Sequence, residues 1–263
     1  ATVLSTLNAI QSFLSWLMFQ PGYKAHINKM DIEYLNLGDK DIRAAKAPDL
    51  KPFPTPEQVR KALFAMPDET EVQKRDQALF AFAFLTGMRD QAITSLKLKH
   101  IDLTRNHVKQ DPKEVQTKFS KRIDTFFFPV GDNVTAIFNR WVAYLLNEKL
   151  YGQEDPLFPQ THLIHDENQS FTARGLTPRH WSNATPIRKV FRQAFEAVGL
   201  PYFSPHRLRS TLTHLGQELC TTPEEFKAWS QNLGHESPLT TFTSYGTIDP
   251  YRQGKLIAEV GKK

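Results

Sequence analysis

The chain has 263 residues, 40% hydrophobic and 23% charged, the composition of an ordinary soluble globular protein. Its one cysteine, Cys220, excludes an internal disulfide and a cysteine-rich zinc site, and points to a reducing, cytoplasmic compartment. The net charge is +5, and its placement is uneven: residues 88–123 carry nine Lys/Arg against four Asp/Glu, residues 186–210 carry five against one, and residues 1–50 carry five of each. Two concentrated basic segments suit a surface that tracks phosphates.

The opening run "STLNAIQSFLSWLMF" sets Leu4, Leu7, Ile10, Phe13, Leu14 and Leu17 at helical spacing. Asn8, Gln11 and serines interrupt it, so residues 1–20 read as an amphipathic helix and not a membrane span. It has neither the basic lead-in nor the cleavage site of a signal peptide. A chain that begins at Ala1 with a helix under way suggests that the native N-terminus has been removed. Pro21-Gly22 ends this helix, and a polar stretch with a short helix follows to about Ala47. "APDLKPFPTPEQ" holds four prolines in twelve residues and marks a boundary between residues 1–50 and 51–263.

Thr55-Pro56-Glu57-Gln58 supplies an N-cap, a first-turn proline and a capping-box glutamine, which predicts a helix from Pro56 to about Ala65. "KRDQALFAFAFLTG" predicts a buried helix stopped by Gly87. "MRDQAITSLKL" predicts a second helix, with Ile93 and Leu96 inward. "EVQTKF" and "IDTFFFPV" are β-type runs around the turn "SKR", and with a short strand near His107–Lys109 they predict a small antiparallel three-stranded sheet. Helical spacing returns over Val134–Leu150, with Ile137, Trp141, Tyr144 and Leu145 in one stripe. Residues 152–184 read as irregular, and "HLIHD" at 162–166 reads as loop in place of a metal site. Three further helices are predicted, over Thr185–Val198 and from Ser204-Pro205 and Thr222-Pro223, the last with Glu225 as capping-box partner. The fold class is therefore α+β, mainly α-helical.

Several residues carry chemistry. In "SPHRLR", Ser204 as cap and Pro205 as first helical residue put His206 in the first turn and Arg209 one turn later on the same face. Together with the N–H groups of a helix start they form a phosphate site, or merely an exposed basic turn. Arg89 follows the helix break at Thr86-Gly87, either facing a ligand or tying two helix ends. Lys118 lies beside the hairpin turn, with Lys121 and Arg122 as competitors for its role. His235 follows Leu233-Gly234 at a helix C-terminus, where the charged imidazole is favoured. No residues stand at metal-chelating spacing around it.

Taken together, these residues resemble the tyrosine recombinase (phage integrase) family over roughly residues 51–250. "LTGMRDQAITSLKLKHID" is similar to its first arginine box, "SPHRLRSTLTHLG" to its His-x-x-Arg box, and "LGHESPLTTFTSYG" to its Leu-Gly-His and nucleophilic tyrosine box. The resemblance implies a catalytic set of Arg89, Lys118, His206, Arg209, His235 and Tyr245, with Tyr245 as nucleophile and Lys118, on the hairpin, as general acid. Where the family places an acidic residue three positions after the first arginine, this chain has Ala92, with Asp90 as a compensating carboxylate. The resemblance further implies that residues 1–50 end a helical core-binding domain that clamps DNA, the rest of it lying upstream. It implies a double-stranded DNA recombination site as substrate, a homotetramer on two duplexes, room for an accessory DNA-bending protein, and neither cofactor nor metal. It implies DNA cleavage and rejoining through a 3′-phosphotyrosyl intermediate, in integration or excision of a mobile element carried by a phage or bacterium. The tail "DPYRQGKLIAEVGKK" would dock on a neighbouring protomer or on its own domain. Alternative readings are a type IB topoisomerase-like relaxation activity and a DNA-binding regulator without catalysis. A metal-dependent nuclease is disfavoured because carboxylates are not clustered.

Overall fold

A computed structural model describes residues 2–46, 52–117, 121–165 and 171–235, with Gly254, Ile257 and Ala258. The chain divides into two compact units, Lys51–Thr243 and Ala1–Leu50 grouped with Ser244–Lys263. No helix of the described residues is long and apolar enough to cross a membrane.

In the smaller unit, α1 (Thr2–Leu17) is followed by α2 (Lys29–Tyr34) and α3 (Asp39–Lys46). The amide of Gln11 donates to the carbonyls of Ile32 and Leu35, tying α1 to the end of α2. The amphipathic spacing of α1 is present, yet none of its residues is buried, and Phe13 and Trp16 stand more than half exposed.

The larger unit is built around one helix. In α5 (Glu71–Thr86) every side chain from Gln77 through Thr86 is buried. A helix apolar on all sides lies at the centre of a domain. Alanines at 78, 81 and 83 let neighbours come close, and phenylalanines fill the gaps between them. Phe80 stacks on Phe191 with ring centroids 4.5 Å apart, and Phe82 meets Phe138 at 4.9 Å and Phe158 at 5.4 Å. Around α5 pack α4 (Pro56–Phe64), α7 (Asp132–Asn147), α8 (Thr185–Glu196) and α9 (Pro205–Leu219). Both ends of α5 are locally coded. Thr70 and Gln73 form a capping box, and Gly87 adopts the left-handed conformation (φ 58°) that stops the helix.

The expected capping boxes at Thr55/Gln58 and Thr222/Glu225 are both formed, and they open α4 and α10 (Pro223–Asn232). The second helix predicted after Gly87 is shorter than expected. It is a single turn, α6 (Asp90–Ile93), and a 3-10 turn at Leu98–His100 leads into the sheet. Ile93 and Leu96 point inward as expected.

The three-stranded antiparallel sheet is present, with order β1 (Ile101–Asp102), β2 (His107–Gln110), β3 (Ile123–Phe126). Its membership differs from expectation. Glu114–Thr117 of the run "EVQTKF" is not a strand. It belongs to a turn-rich connector in which Glu114 and Val115 both donate backbone N–H to Asp111. The pairing partner of β3 is β2, the run expected to be the minor strand.

Residues 152–184 are not irregular throughout. They contain β4 (Gln160–His165) and β5 (Phe171–Thr177), paired antiparallel, so His162 sits in a strand and not in a loop. Long-range anchors hold this hairpin. The buried Arg75 guanidinium donates to the Pro159 carbonyl and the Thr161 hydroxyl, each at 2.9 Å, and pairs with Asp76 at 2.7 Å. Glu71 accepts from the Leu176 N–H, and also from Tyr144 and Lys149 of the α7 region.

Gly87 is where backbone and packing demands coincide. A Cβ there would lie 2.8 Å from Leu212 Cδ1 and 2.9 Å from Leu233 Cδ2, in a backbone conformation that L-residues rarely adopt. Gly87→Ala is expected to destabilise the larger unit by roughly 1–3 kcal/mol, from αL strain plus overpacking. Urea denaturation monitored by tryptophan fluorescence measures it. A change under half a kcal/mol would show that the helix end relaxes freely.

Candidate functional site

Three helix boundaries meet at one place in the larger unit. They are the C-terminus of α5 running into α6, the N-terminal turns of α9, and the C-terminus of α10. Each is fixed by local sequence chemistry, and each delivers a cationic or imidazole side chain.

Arg89 is the N-cap residue of α6, extended in backbone (φ −70°, ψ 139°), and its own side chain makes no capping bond. It is half-buried, and that burial pulls its guanidinium below its usual pKa. Ser204 stands at the N-cap of α9 and Pro205 in its first turn, as the sequence predicts, although the Ser204 hydroxyl makes no cap bond. His206 is therefore in the first turn and Arg209 one turn in, buried to 6% exposure.

Arg209 holds the helix ends together. Its Nη1 donates to the Gly87 carbonyl at 2.6 Å and its Nη2 to the Leu233 carbonyl at 2.5 Å. Those carbonyls lie at the C-termini of α5 and α10, where the helix dipole is negative and a cation is stabilised. A guanidinium has five N–H groups in a planar fork, which lets one side chain bond both carbonyls.

His235 is delivered by a Schellman motif. Gly234 takes the left-handed conformation (φ 70°) and donates to Gln231, and the His235 N–H donates to Ser230. The sequence Leu-Gly-His thus encodes a helix stop that sets the histidine one residue past the turn. Asn232 fixes that end against the sheet. Its amide accepts from the Phe126 N–H at 2.6 Å and donates to the Phe126 carbonyl at 2.8 Å. Behind it, the Gln110 amide donates to Thr125 Oγ1, which donates to the Asn232 carbonyl.

The electrostatics show that these side chains share one field. His235 is pushed down to about 4, first by burial and then by the charges of Arg209, Arg89 and His206. His206, at the surface, is also lowered, by partial desolvation and by Arg209, Arg89 and Arg207, with Asp90 opposing weakly. The helix-end argument, which favours a charged His235, is overturned here. Burial and two arginine charges outweigh the partial charge of one helix terminus. The Asp90 carboxylate is engaged by Arg188 of α8 at 2.8 Å, so its effect on the site is indirect.

Arg89 and Arg209 line a small pocket of about 10 Å³, room for about one water molecule, whose wall includes Gln110, Thr117, Thr125 and Asn232. No motif singles out these four, because their positions come from sheet and helix-end packing. Of the six candidate residues, the fold brings Arg89, His206, Arg209 and His235 together. Lys118 and Tyr245 lie outside the described residues, as does the C-terminal tail apart from Gly254, Ile257 and Ala258. Among the described residues, no three His, Cys, Asp or Glu side chains gather at metal-binding distance.

Comparison with known proteins gives the family and the fold. The profile of the phage integrase family matches residues 53–250. Tyrosine recombinase XerC of Halalkalibacterium halodurans is 25% identical over 243 residues, covering 90% of this chain and 67% of that protein. The crystal structure of XerA recombinase superposes with a TM-score of 0.53 at 16% identity, over 98% of this chain and 83% of that one. XerH site-specific recombinase in its pre-cleavage complex with difH substrate gives 0.51 at 18% identity, over 96% and 70%. These structural likenesses speak to the fold, and the profile match speaks to descent. The chain belongs to the phage integrase family of tyrosine recombinases, enzymes that cleave and rejoin DNA.

Proposed function

We propose that this chain is the catalytic part of a site-specific recombinase that cuts and reseals duplex DNA through a 3′-phosphotyrosyl intermediate, in integration or excision of a mobile element. The observation that carries the reading is a small pocket lined by Arg89 and Arg209, with both arginine charges felt by His206 and His235. Two fixed cations suit the single charge of a phosphodiester and the second charge that develops in its transition state, and phosphoryl transfer needs little beyond positioning and charge stabilisation.

In this mechanism Arg89 and Arg209 hold the non-bridging oxygens of the scissile phosphate and stabilise the charge of the transition state. The Tyr245 hydroxyl attacks phosphorus. A free tyrosine has a pKa near ~10, so cationic neighbours and a base must assist it. His206 and His235, neutral at physiological pH, orient the phosphate and help manage that proton. The P–O5′ bond breaks as Lys118 gives its proton to the departing oxygen. A phosphotyrosyl ester and a 5′ hydroxyl result. Attack by another 5′ hydroxyl reverses the step, with no external energy source because the bond type is conserved.

Residues 1–50 then serve as the end of a core-binding domain that grips the duplex. The active assembly is a homotetramer on two DNA sites, as recombination of two duplexes requires four cleavages. The crystallised XerH complex with difH DNA supports a DNA recombination site as the substrate class.

With a nicked suicide substrate, a covalent protein–DNA adduct is expected to accumulate in EDTA and to be absent in Tyr245→Phe. An adduct that persists in that variant would falsify Tyr245 as nucleophile. A second expectation concerns His235. Its pKa of about 4 in the folded chain lies below the ordinary 6.5, so the unfolded chain binds more protons between those values. Its contribution to stability is complete above pH 6.5 and is lost as pH falls toward 4. A phosphate bound at Arg89 and Arg209 offsets their field, so DNA binding should raise the His235 pKa by about one unit or more. NMR titration of the ring protons with and without DNA measures this, and an unchanged value would place the phosphate elsewhere.

A further inference from the structure

The connector between β2 and β3 is docked, not loose, over its first half. Val115 is buried to 2% exposure. The Gln116 N–H donates to Ser95 Oγ at 2.9 Å, and the Gln91 amide donates to the Gln116 side-chain carbonyl. Glu114 makes the charged contacts. One of its oxygens lies 2.7 Å from Lys99 Nζ, 3.3 Å from Lys97 Nζ and 3.6 Å from His100 Nε2. The Lys97 N–H donates to His100 Nδ1, so the ring proton sits on Nε2, facing that oxygen. Glu154 grips the same two lysines from the other side, each at 2.8 Å.

These polar contacts of Glu114 and Gln116 all fall on one short stretch, Gln91–His100, which begins two residues after Arg89. The connector's docked first half ends at Thr117, which lines the arginine pocket and is followed in the chain by Lys118. The connector thus ties the approach to Lys118 to the same segment that positions Arg89.

We propose that Glu114 is a positioning residue: clasped by Lys97, Lys99 and His100, it seats the Asp111–Thr117 connector on the Arg89 segment and so sets the starting point of Lys118. The inference rests on the proposed role of Lys118 as general acid. Solvent-exposed ion pairs add little to stability, and Val115 and Gln116 remain as anchors, so loss of Glu114 should leave the fold intact. Its effect is on placement, to which proton transfer in the transition state is sensitive.

The test compares an ordinary suicide substrate with one carrying a bridging 5′ sulfur at the scissile position. With oxygen, the P–O5′ bond breaks and the lysine proton moves to O5′. With sulfur, the P–S bond breaks and a thiolate, stable without a proton, departs. Single-turnover cleavage is measured at saturating protein for wild type, Lys118→Ala, Glu114→Ala and E114K, the last setting a third positive charge against Lys97 and Lys99. On the oxygen substrate, both Glu114 variants are expected to lose about tenfold to a hundredfold. On the sulfur substrate they should come within about threefold of wild type. Lys118→Ala should be rescued in the same way. If Lys118→Ala is rescued and the Glu114 variants stay slow on sulfur, or are not slowed on oxygen, the positioning role is wrong and the general-acid assignment stands. If Lys118→Ala is not rescued, the assignment of Lys118 fails and the role of Glu114 fails with it. Rescue of a Glu114 variant also demonstrates that it is folded.

Discussion

The buried guanidinium of Arg209, shared between the Gly87 and Leu233 carbonyls, is the constraint on which the site depends. Two helices far apart in sequence end against it, and their last carbonyls need partners that a helix cannot supply itself. One cation satisfies both. This fixes α5 relative to α10 and thereby the two turns that carry Arg89 and His235. A lysine, with a single charged nitrogen on a flexible stem, lacks the planar fork that spans both carbonyls. The packing of Gly87 against Leu212 and Leu233 acts in the same place, since any side chain there would push the helix ends apart.

The site stores positive charge without paying for ionised imidazoles. Arg89 and Arg209 remain cationic, and their field together with burial keeps His206 and His235 neutral. Neutral imidazoles beside arginines are adaptable, because an arriving phosphate changes which protonation state is preferred. The chemistry proposed here exploits that response, with the arginines fixed in charge and the histidines following the ligand.

Much of the architecture was legible because it is locally coded. The capping boxes at Thr55 and Thr222, the Gly87 stop and the proline-started helices are read from three or four adjacent residues. The box at Thr70 and Gln73 carries the same local signal, just ahead of the apolar run. The site residues were legible as motifs, and the structure explains why: Leu-Gly-His is a helix stop, and Ser-Pro-His is a helix start. What could not be read was set by distant partners. β4 and β5 rely on Arg75 and Glu71, more than eighty residues away for the Arg75–Thr161 bond. α6 shrinks to one turn because the chain must leave for the sheet, and the run around Val115 becomes a docked connector because Ser95 and Gln91 receive it. The charge state of His235 is not legible locally, because burial and two arginines distant in sequence outweigh the field of its own helix.

The Asn232 amide has a consequence beyond the placement of His235. β3 is an edge strand of its sheet, and such edges expose N–H and C=O groups that can template pairing with another chain. Asn232 answers both groups of Phe126 as a neighbouring strand would, although it is a side chain at a helix end. The edge is thereby closed at Phe126, whose N–H and C=O would otherwise be open to a strand of another chain. One residue at the end of α10 closes a strand edge while it aims an imidazole.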